Sequence, residues 1–424
     1  MKACRVCGRL FTDEAAFCQA DGQELTGISQ TPLPGDSDDP RVGQVLCDRY
    51  LVCRVVADGG MGRVYEGLDQ TAGRHVALKV LHEEVAEDEV SVERFKREYE
   101  VSRSLPHQHI VEVTDFQPLD GSYVLAMEFL VGEELRAVLK RDRVVSPQRL
   151  VRMVSQLAIG LDAAHRRQII HRDLKPDNIF LCQTQAGDIA KLLDFGSVKD
   201  RKRGAKQLTV LGTTIGSPYY MSPEQAQALD TLDNRADVWA MTAVIYECIT
   251  GTVPFRGNNA PSILMEILRT EPTPPSVAAL GRRYSVPSSV DEVVRQGLRK
   301  AAMDRITTVG GLADGLGWAY GLKGDHHAWA VTPEGELGTA IRSRWPDIDA
   351  GPPGPVPVGG PSALRREVTR DDQQASWPAG RGKPSNVEPA EGNSLVIPLR
   401  STPRWVYVAA FCLTLCVLIV WFVT

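Results

Sequence analysis

The ten residues from Ile169 to Asn178, I-I-H-R-D-L-K-P-D-N, put a carboxylate, an ammonium group and a carboxamide into one short loop. That set suits the transfer of a phosphoryl group to a hydroxyl. Asp173 would accept the hydroxyl proton, Lys175 would steady the γ-phosphate of ATP, and Asn178 would hold a divalent cation, magnesium or manganese. Farther along, Asp194-Phe195-Gly196 follows Lys191-Leu192-Leu193, so Asp194 sits at the end of a short strand where a turn can offer it as a second metal ligand. Upstream, Val76-Ala77-Leu78-Lys79 alternates like a half-buried strand and would aim Lys79 at the α- and β-phosphates.

Those side chains need elements to position them. The segment from Val92 to Leu105 has helical composition and offers Glu98 as the ion-pair partner of Lys79, with Glu100 the second choice. The stretch Ala57-Asp58-Gly59-Gly60-Met61-Gly62-Arg63-Val64 reads as a hairpin over the phosphates, in which Gly59, Gly60 and Gly62 let backbone N–H groups approach an anion. Such turns are common, and this one gains its meaning from Lys79 downstream.

The order of glycine loop, Lys79, Glu98, Asp173, Asn178 and Asp194 resembles that of the bacterial eukaryotic-like Ser/Thr protein kinases over roughly residues 50 to 318. The resemblance implies an α+β, two-lobed fold, with a small β-rich lobe and a large α-helical lobe, and phosphorylation of Ser/Thr hydroxyls on protein substrates. It places Met127 as gatekeeper, Glu128 and Leu130 as the hinge that meets adenine through its backbone, and Val64 and Ala77 in the nucleotide pocket. Ser222-Pro223-Glu224 resembles the end of an activation segment, Asp237-Val238-Trp239 the start of the long buried helix, and Glu224 is expected to pair with Arg305. Lys175, two places after Asp173, follows the Ser/Thr rather than the tyrosine pattern.

Three positions depart from the family. Ala57 stands at the first loop glycine, Ser217 at a usual Thr, and the closing motif Ala302-Met303-Asp304-Arg305-Ile306 is abbreviated. Arg172 before Asp173 marks an activation segment ordered by phosphorylation, with Thr209, Thr213 and Thr214 as candidate acceptors. Lys199, Arg201, Lys202, Arg203 and Lys206 read as a solvated basic loop.

A net charge of −5 and a pI near 6.0 leave no global basic footprint for nucleic acid. Of nine cysteines, Cys47, Cys53, Cys182 and Cys248 fall in the catalytic region and read as reduced core residues. The N-terminus differs, since Cys4-Arg-Val-Cys7-Gly and Cys18-Gln-Ala-Asp21-Gly form a zinc-ribbon-like pattern with one carboxylate ligand. A single C-x-x-C also serves redox chemistry; its repetition here favours structural zinc. So short a segment cannot bury a core unaided, so metal would supply the fold.

The expected organisation is a ribbon over 1–26, a Thr/Pro/Gly/Asp linker over 27–45, a catalytic domain over 46–320, a mostly disordered Pro/Gly-rich linker over 321–403 and a transmembrane helix over 404–424. Trp405 to Val423 carries no charge and at 1.5 Å per residue would span about 28 Å, close to the hydrocarbon thickness. Arg400 and Arg404 on its N-terminal side would keep that side cytoplasmic, on the inner membrane, with no signal peptide before Cys4. His326-His327 is either a metal pair or, as preferred, an exposed loop pair. Self-association for autophosphorylation is expected. The competing function is a catalytically dead scaffold that docks partners through ribbon and linker, which intact Lys79, Glu98, Asp173, Asn178 and Asp194 oppose.

Overall fold

The computed structural model describes residues 39–184, 187–195, 218–229 and 231–350, together with three two-residue strands nearer the N-terminus. Those are β1 (Lys2–Ala3), β2 (Leu10–Phe11) and β3 (Thr26–Gly27), a small antiparallel sheet in which Lys2 lies opposite Phe11 and Gly27. The expected zinc ligands Cys4, Cys7, Cys18 and Asp21, the candidate phosphoacceptors Thr209, Thr213 and Thr214, and the apolar run Trp405 to Val423 lie outside the described residues.

Alternating apolar residues build the first lobe. Strands β4 (Val45–Leu46), β5 (Tyr50–Asp58), β6 (Gly62–Asp69) and β7 (Arg74–Leu81) are followed by α1 (Glu83–Ala86) and α2 (Glu89–Ser104), then β8 (Val113–Leu119) and β9 (Ser122–Glu128). They make one antiparallel sheet in the order β4-β5-β6-β7-β9-β8. Because residues opposite each other share a face, the pairs Val64–Lys79 and Ala77–Met127 put all four side chains on one side of the sheet. Tyr50, Val52, Tyr65 and Leu78 fill a core on the other side. Helix α2 is started by Asp88, whose carboxylate accepts from Val90 N and Ser91 N, and it buries Phe95, Glu98 and Ser102 along a single face.

The second lobe carries β10 (Gly132–Glu134), α3 (Leu135–Asp142), α4 (Pro147–Arg166), β11 (Ile179–Cys182), β12 (Ile189–Leu192), α5 (Pro223–Ala226), α6 (Arg235–Thr250), α7 (Ala260–Arg269), α8 (Pro275–Ala278), α9 (Ser288–Gly297) and α10 (Val309–Ala319). Every residue of α6 from Ala236 to Thr250 is buried, so this helix is the axis of the lobe. It stops at Gly251, whose φ of 72° is left-handed and whose Cβ, if present, would lie 2.9 Å from Arg143 O. Of the four cysteines expected in the core, Cys248 is buried there, Cys47 and Cys182 are half-buried, and Cys53 is exposed.

The expected end of the folded domain at residue 320 is corrected. Helices α11 (His326–Val331) and α12 (Glu334–Arg344) continue the lobe, packing on α4 and burying Trp329, Leu337 and Ile341. The Trp329 indole occupies the space that a side chain on Gly317 would need, its Nε1 donates to Lys323 O at 2.9 Å, and Gln156 Nε2 donates to Ala330 O at 3.0 Å. The segment is too short and too sparsely apolar to announce itself, because its few large side chains fill slots made by distant residues. His326 is not an exposed loop residue: its backbone N and Nδ1 both reach Asp314 Oδ1, at 2.7 and 2.9 Å. Among the described residues no cluster of three metal-binding side chains exists, and no helix is long and apolar enough to cross a membrane.

Candidate active site

The loop that carries Asp173 hangs from Asp237, a fully buried carboxylate at the start of α6. Asp237 accepts from His171 N at 2.8 Å and from Arg172 N at 2.9 Å, and it pairs with His165 Nε2 at 2.8 Å. Burial would pull the His165 imidazole below its ordinary value, but the carboxylates of Asp162, 3.6 Å from Nδ1, and of Asp237 overcome that and carry it to about 9. Burial likewise opposes ionisation of Asp237, yet His165 holds its carboxyl below the usual carboxylate range. A charged pair therefore fixes the backbone of the loop from beneath.

His171 is locked in one tautomer. Asp173 N donates to its Nδ1 at 3.4 Å, so Nε2 carries the hydrogen and donates to Leu193 O at 3.0 Å, while the ring tilts against Phe195 with centroids 4.7 Å apart. These ties bring the Asp173 loop beside the Asp194 turn. Arg172 and Asp194 both take left-handed φ angles, 69° and 57°, which side chains other than glycine adopt only where their surroundings hold them.

Asp173 Oδ2 accepts from Lys175 Nζ at 2.7 Å and from Asn178 Nδ2 at 3.2 Å, and Asn178 Nδ2 also reaches Asp173 O at 2.7 Å. With its nitrogen committed to Asp173, Asn178 has its amide oxygen left for a cation. Asp194 Oδ2 lies 4.0 Å from Lys79 Nζ with the carboxylate part exposed. Lys79 Nζ donates to Glu98 Oε2 at 2.8 Å, and Glu98 is 4% exposed whereas Glu100 faces solvent, which decides between the two glutamates. Burial pushes the Glu98 carboxyl up, to about 7, against the pull of Lys79. Burial also works against the Lys79 charge, but Glu98 and Asp194 outweigh it, so the ammonium keeps its proton.

The loop glycines divide by cause. A Cβ on Gly62 would sit 2.2 Å from Val80 O, so this glycine is required by the close approach of β7. Gly59 and Gly60 meet no such wall, which leaves their backbone accessible from outside the hairpin. At the expected hinge, Glu128 Oε1 accepts from Glu112 N at 2.8 Å and Lys191 Nζ at 2.6 Å, tying the hinge side chain to β12, and Leu130 is half-buried.

The expected Glu224–Arg305 pair is present and bidentate, at 2.6 and 2.7 Å, although its motif is abbreviated. Other supports of the loop carry no local sequence signal. Arg136 joins Asp177 at 3.2 Å, Glu247 at 2.8 Å and Tyr220 Oη at 2.6 Å, clamping the loop, α6 and the segment after residue 217 together. Gln225 Nε2 donates to Arg172 O at 2.8 Å. His165 could have been suspected only from its place just ahead of the catalytic loop; nothing in the sequence pairs Arg136 with partners as many as 111 residues away.

Comparison with known proteins agrees with this geometry. The protein kinase domain family matches residues 50–314. The chain is 31% identical over 395 residues to the serine/threonine-protein kinase PknD of Mycobacterium tuberculosis, covering 89% of this chain and 58% of that protein. It is 34% identical over 338 residues to PknH of Mycobacterium bovis, covering 77% of this chain and 54% of that one. The chain thus spans a little over half the length of these curated relatives. A crystal structure of the M. tuberculosis PknI kinase domain superposes with a TM-score of 0.52 at 27% identity, covering 66% of this chain and 98% of that one. Family match, two-lobed fold and the meeting of Lys79 with Glu98 lead to one conclusion: this chain belongs to the protein kinase domain family.

Proposed function

We propose that this chain is a Ser/Thr protein kinase that moves the γ-phosphate of ATP onto Ser or Thr hydroxyls of proteins. The observation that carries this is the assembled set itself: Lys79 closed on Glu98 at 2.8 Å, with Asp194 4.0 Å from the same ammonium and Asn178 bonded to Asp173. In this assignment Lys79 holds the α- and β-phosphates, Asp173 orients the substrate hydroxyl and takes its proton, and Lys175 offers positive charge to the phosphoryl group in flight. Gly59, Gly60 and Gly62 cover the phosphates, while Val64, Ala77 and the backbone of Glu128 and Leu130 enclose the base. The donor set suits a hard divalent cation: Asn178 Oδ1 and the Asp194 carboxylate would hold magnesium or manganese, which when bound neutralises phosphate charge. Closure of the Lys79–Glu98 pair weighs against the inactive-scaffold alternative.

Incubation of the purified full chain with radiolabelled ATP, magnesium and a generic protein substrate is the test. Label on Ser or Thr that disappears in Lys79→Met supports the assignment. Equal labelling in that variant defeats it.

The same proposal extends to the rest of the chain. Thr209, Thr213 and Thr214 are the autophosphorylation candidates, modified between neighbouring copies. Structural zinc at Cys4, Cys7, Cys18 and Asp21 draws support from β1 and β2, which flank the first cysteine pair and bond to each other. One zinc per chain by metal analysis, lost in Cys18→Ala, is expected. The uncharged run from Trp405 to Val423 would anchor the enzyme to the inner membrane with its catalytic domain cytoplasmic. Release of the full chain from membranes by a salt wash would overturn that placement.

A further inference from the structure

The chain enters the catalytic domain across the back of the nucleotide hairpin. Residues 39–44 are bonded to β5, with Gly43 N donating to Val52 O at 2.9 Å and Val52 N to Gln44 O at 2.9 Å. Their first described member, Asp39, has a side chain only 4% exposed, although it opens the domain. Its carboxylate accepts from Arg41 N at 2.8 Å, from Arg63 Nη1 at 2.5 Å and from Tyr65 Oη at 3.1 Å. These bonds outweigh the cost of burial and hold the Asp39 carboxyl below the usual carboxylate range.

Strand alternation gives those partners their significance. Val64 points to the nucleotide face with Lys79, so Arg63 and Tyr65 point to the opposite face, against the entering segment. Arg63 lies at the mouth of the hairpin one residue after Gly62, and it also grips Asp58, on the other strand, through Nε at 3.0 Å. Asp58 in turn meets His82 Nε2 at 3.2 Å, and His82 Nε2 lies 2.9 Å from Gly59 O. One shielded carboxylate therefore ties both strands of the hairpin to the chain that arrives from the cysteine-bearing N-terminus.

We propose that Asp39 is a positioning residue for the nucleotide loop: through Arg63 and Tyr65 it holds the rear of the β5–β6 hairpin, so that the entering segment sets how firmly the loop closes over ATP. The inference rests on the ATP-binding assignment above. Asp39 touches no reacting atom and acts only through the hairpin. Pulling or releasing the entering segment would change nucleotide affinity without touching the Asp173 loop.

The test uses the full chain and two readouts: the dissociation constant of a non-hydrolysable ATP analogue with magnesium, and KM for ATP alongside kcat on a peptide. Asp39→Asn keeps the shape and removes the charge. It should weaken analogue binding and raise KM about threefold, as expected for a partly shielded ion pair, with kcat unchanged. Arg63→Met should weaken binding at least as much, since it also frees Asp58, and the double variant should be no worse than Arg63→Met alone, because Asp39 acts through Arg63. An analogue affinity within experimental error of wild type, an equal fall in kcat, or additive losses would overturn the inference. If wild type transfers no phosphate, the kinase assignment fails, and the analogue affinities of wild type and Asp39→Asn still decide the tether.

Discussion

Replacing Arg305 by Leu should unfold the helical lobe far more readily, because the substitution strands a buried charge. The Arg305 side chain has no exposed surface, and it donates to both oxygens of Glu224 at 2.6 and 2.7 Å, to Arg299 O at 2.7 Å and to Lys300 O at 3.0 Å. Its guanidinium also lies over the Trp239 ring, 5.0 Å from the centroid. Removing one partner of a buried pair costs about 3–5 kcal/mol, mainly from the charge left behind. At about 2–4 °C per kcal/mol for a domain of this class, the melting temperature should fall by roughly 6–20 °C. Burial pushes the Glu224 carboxyl up while Arg305 holds it below the ordinary value of 4.5, so in the variant the carboxyl rises. A raised carboxyl loses stability as pH increases, and the defect should therefore be larger at pH 8 than at pH 5. Adding Glu224→Gln removes the stranded charge and should recover part of the loss. Thermal and urea unfolding of the full chain across that pH range is the assay. A loss below 1 kcal/mol, or a double variant no better than Arg305→Leu, would refute the reasoning.

Asp173→Asn should lower kcat by several orders of magnitude while leaving the melting temperature within a few degrees, since it removes a proton acceptor and little packing; steady-state phosphorylation and calorimetry check both halves. His165→Gln should flatten the pH dependence of stability: the imidazole is raised from 6.5 to about 9, so its contribution, at most about 3 kcal/mol, is complete below pH 6.5 and is lost as pH rises through 9. Urea titrations at pH 6 and pH 9.5 compare the variant with wild type, and equal losses at both pH values would reject the charged pair. Trp329→Ala should cost about 3–5 kcal/mol by emptying the slot over Gly317, measured by urea unfolding, and an unchanged midpoint would return the domain boundary to residue 320.

The chemistry-bearing residues were legible in the sequence because phosphoryl transfer places them within single loops. Asp173, Lys175 and Asn178 share one turn, Lys79 lies on a strand whose alternation is visible, and Glu98 falls on a face that helical periodicity defines. Glu98 was preferred over Glu100 in the sequence, and its burial in the folded helix decided between them. What the sequence left open was decided by contacts between segments far apart in the chain. Arg136 finds Glu247, Asp39 finds Arg63, and Gln156 finds Ala330 only after the sheet has paired and the helices have packed. Each of those residues has an ordinary type in an unremarkable neighbourhood, so no local pattern marks it. Asp237 shows the division within one side chain: its motif announced the long buried helix, but only the tertiary fold brought His165, His171 and Arg172 around its carboxylate. Local spacing specifies which groups can react, whereas burial and long-range pairing decide which of them are held still, because both arise from surfaces that meet only in the folded chain.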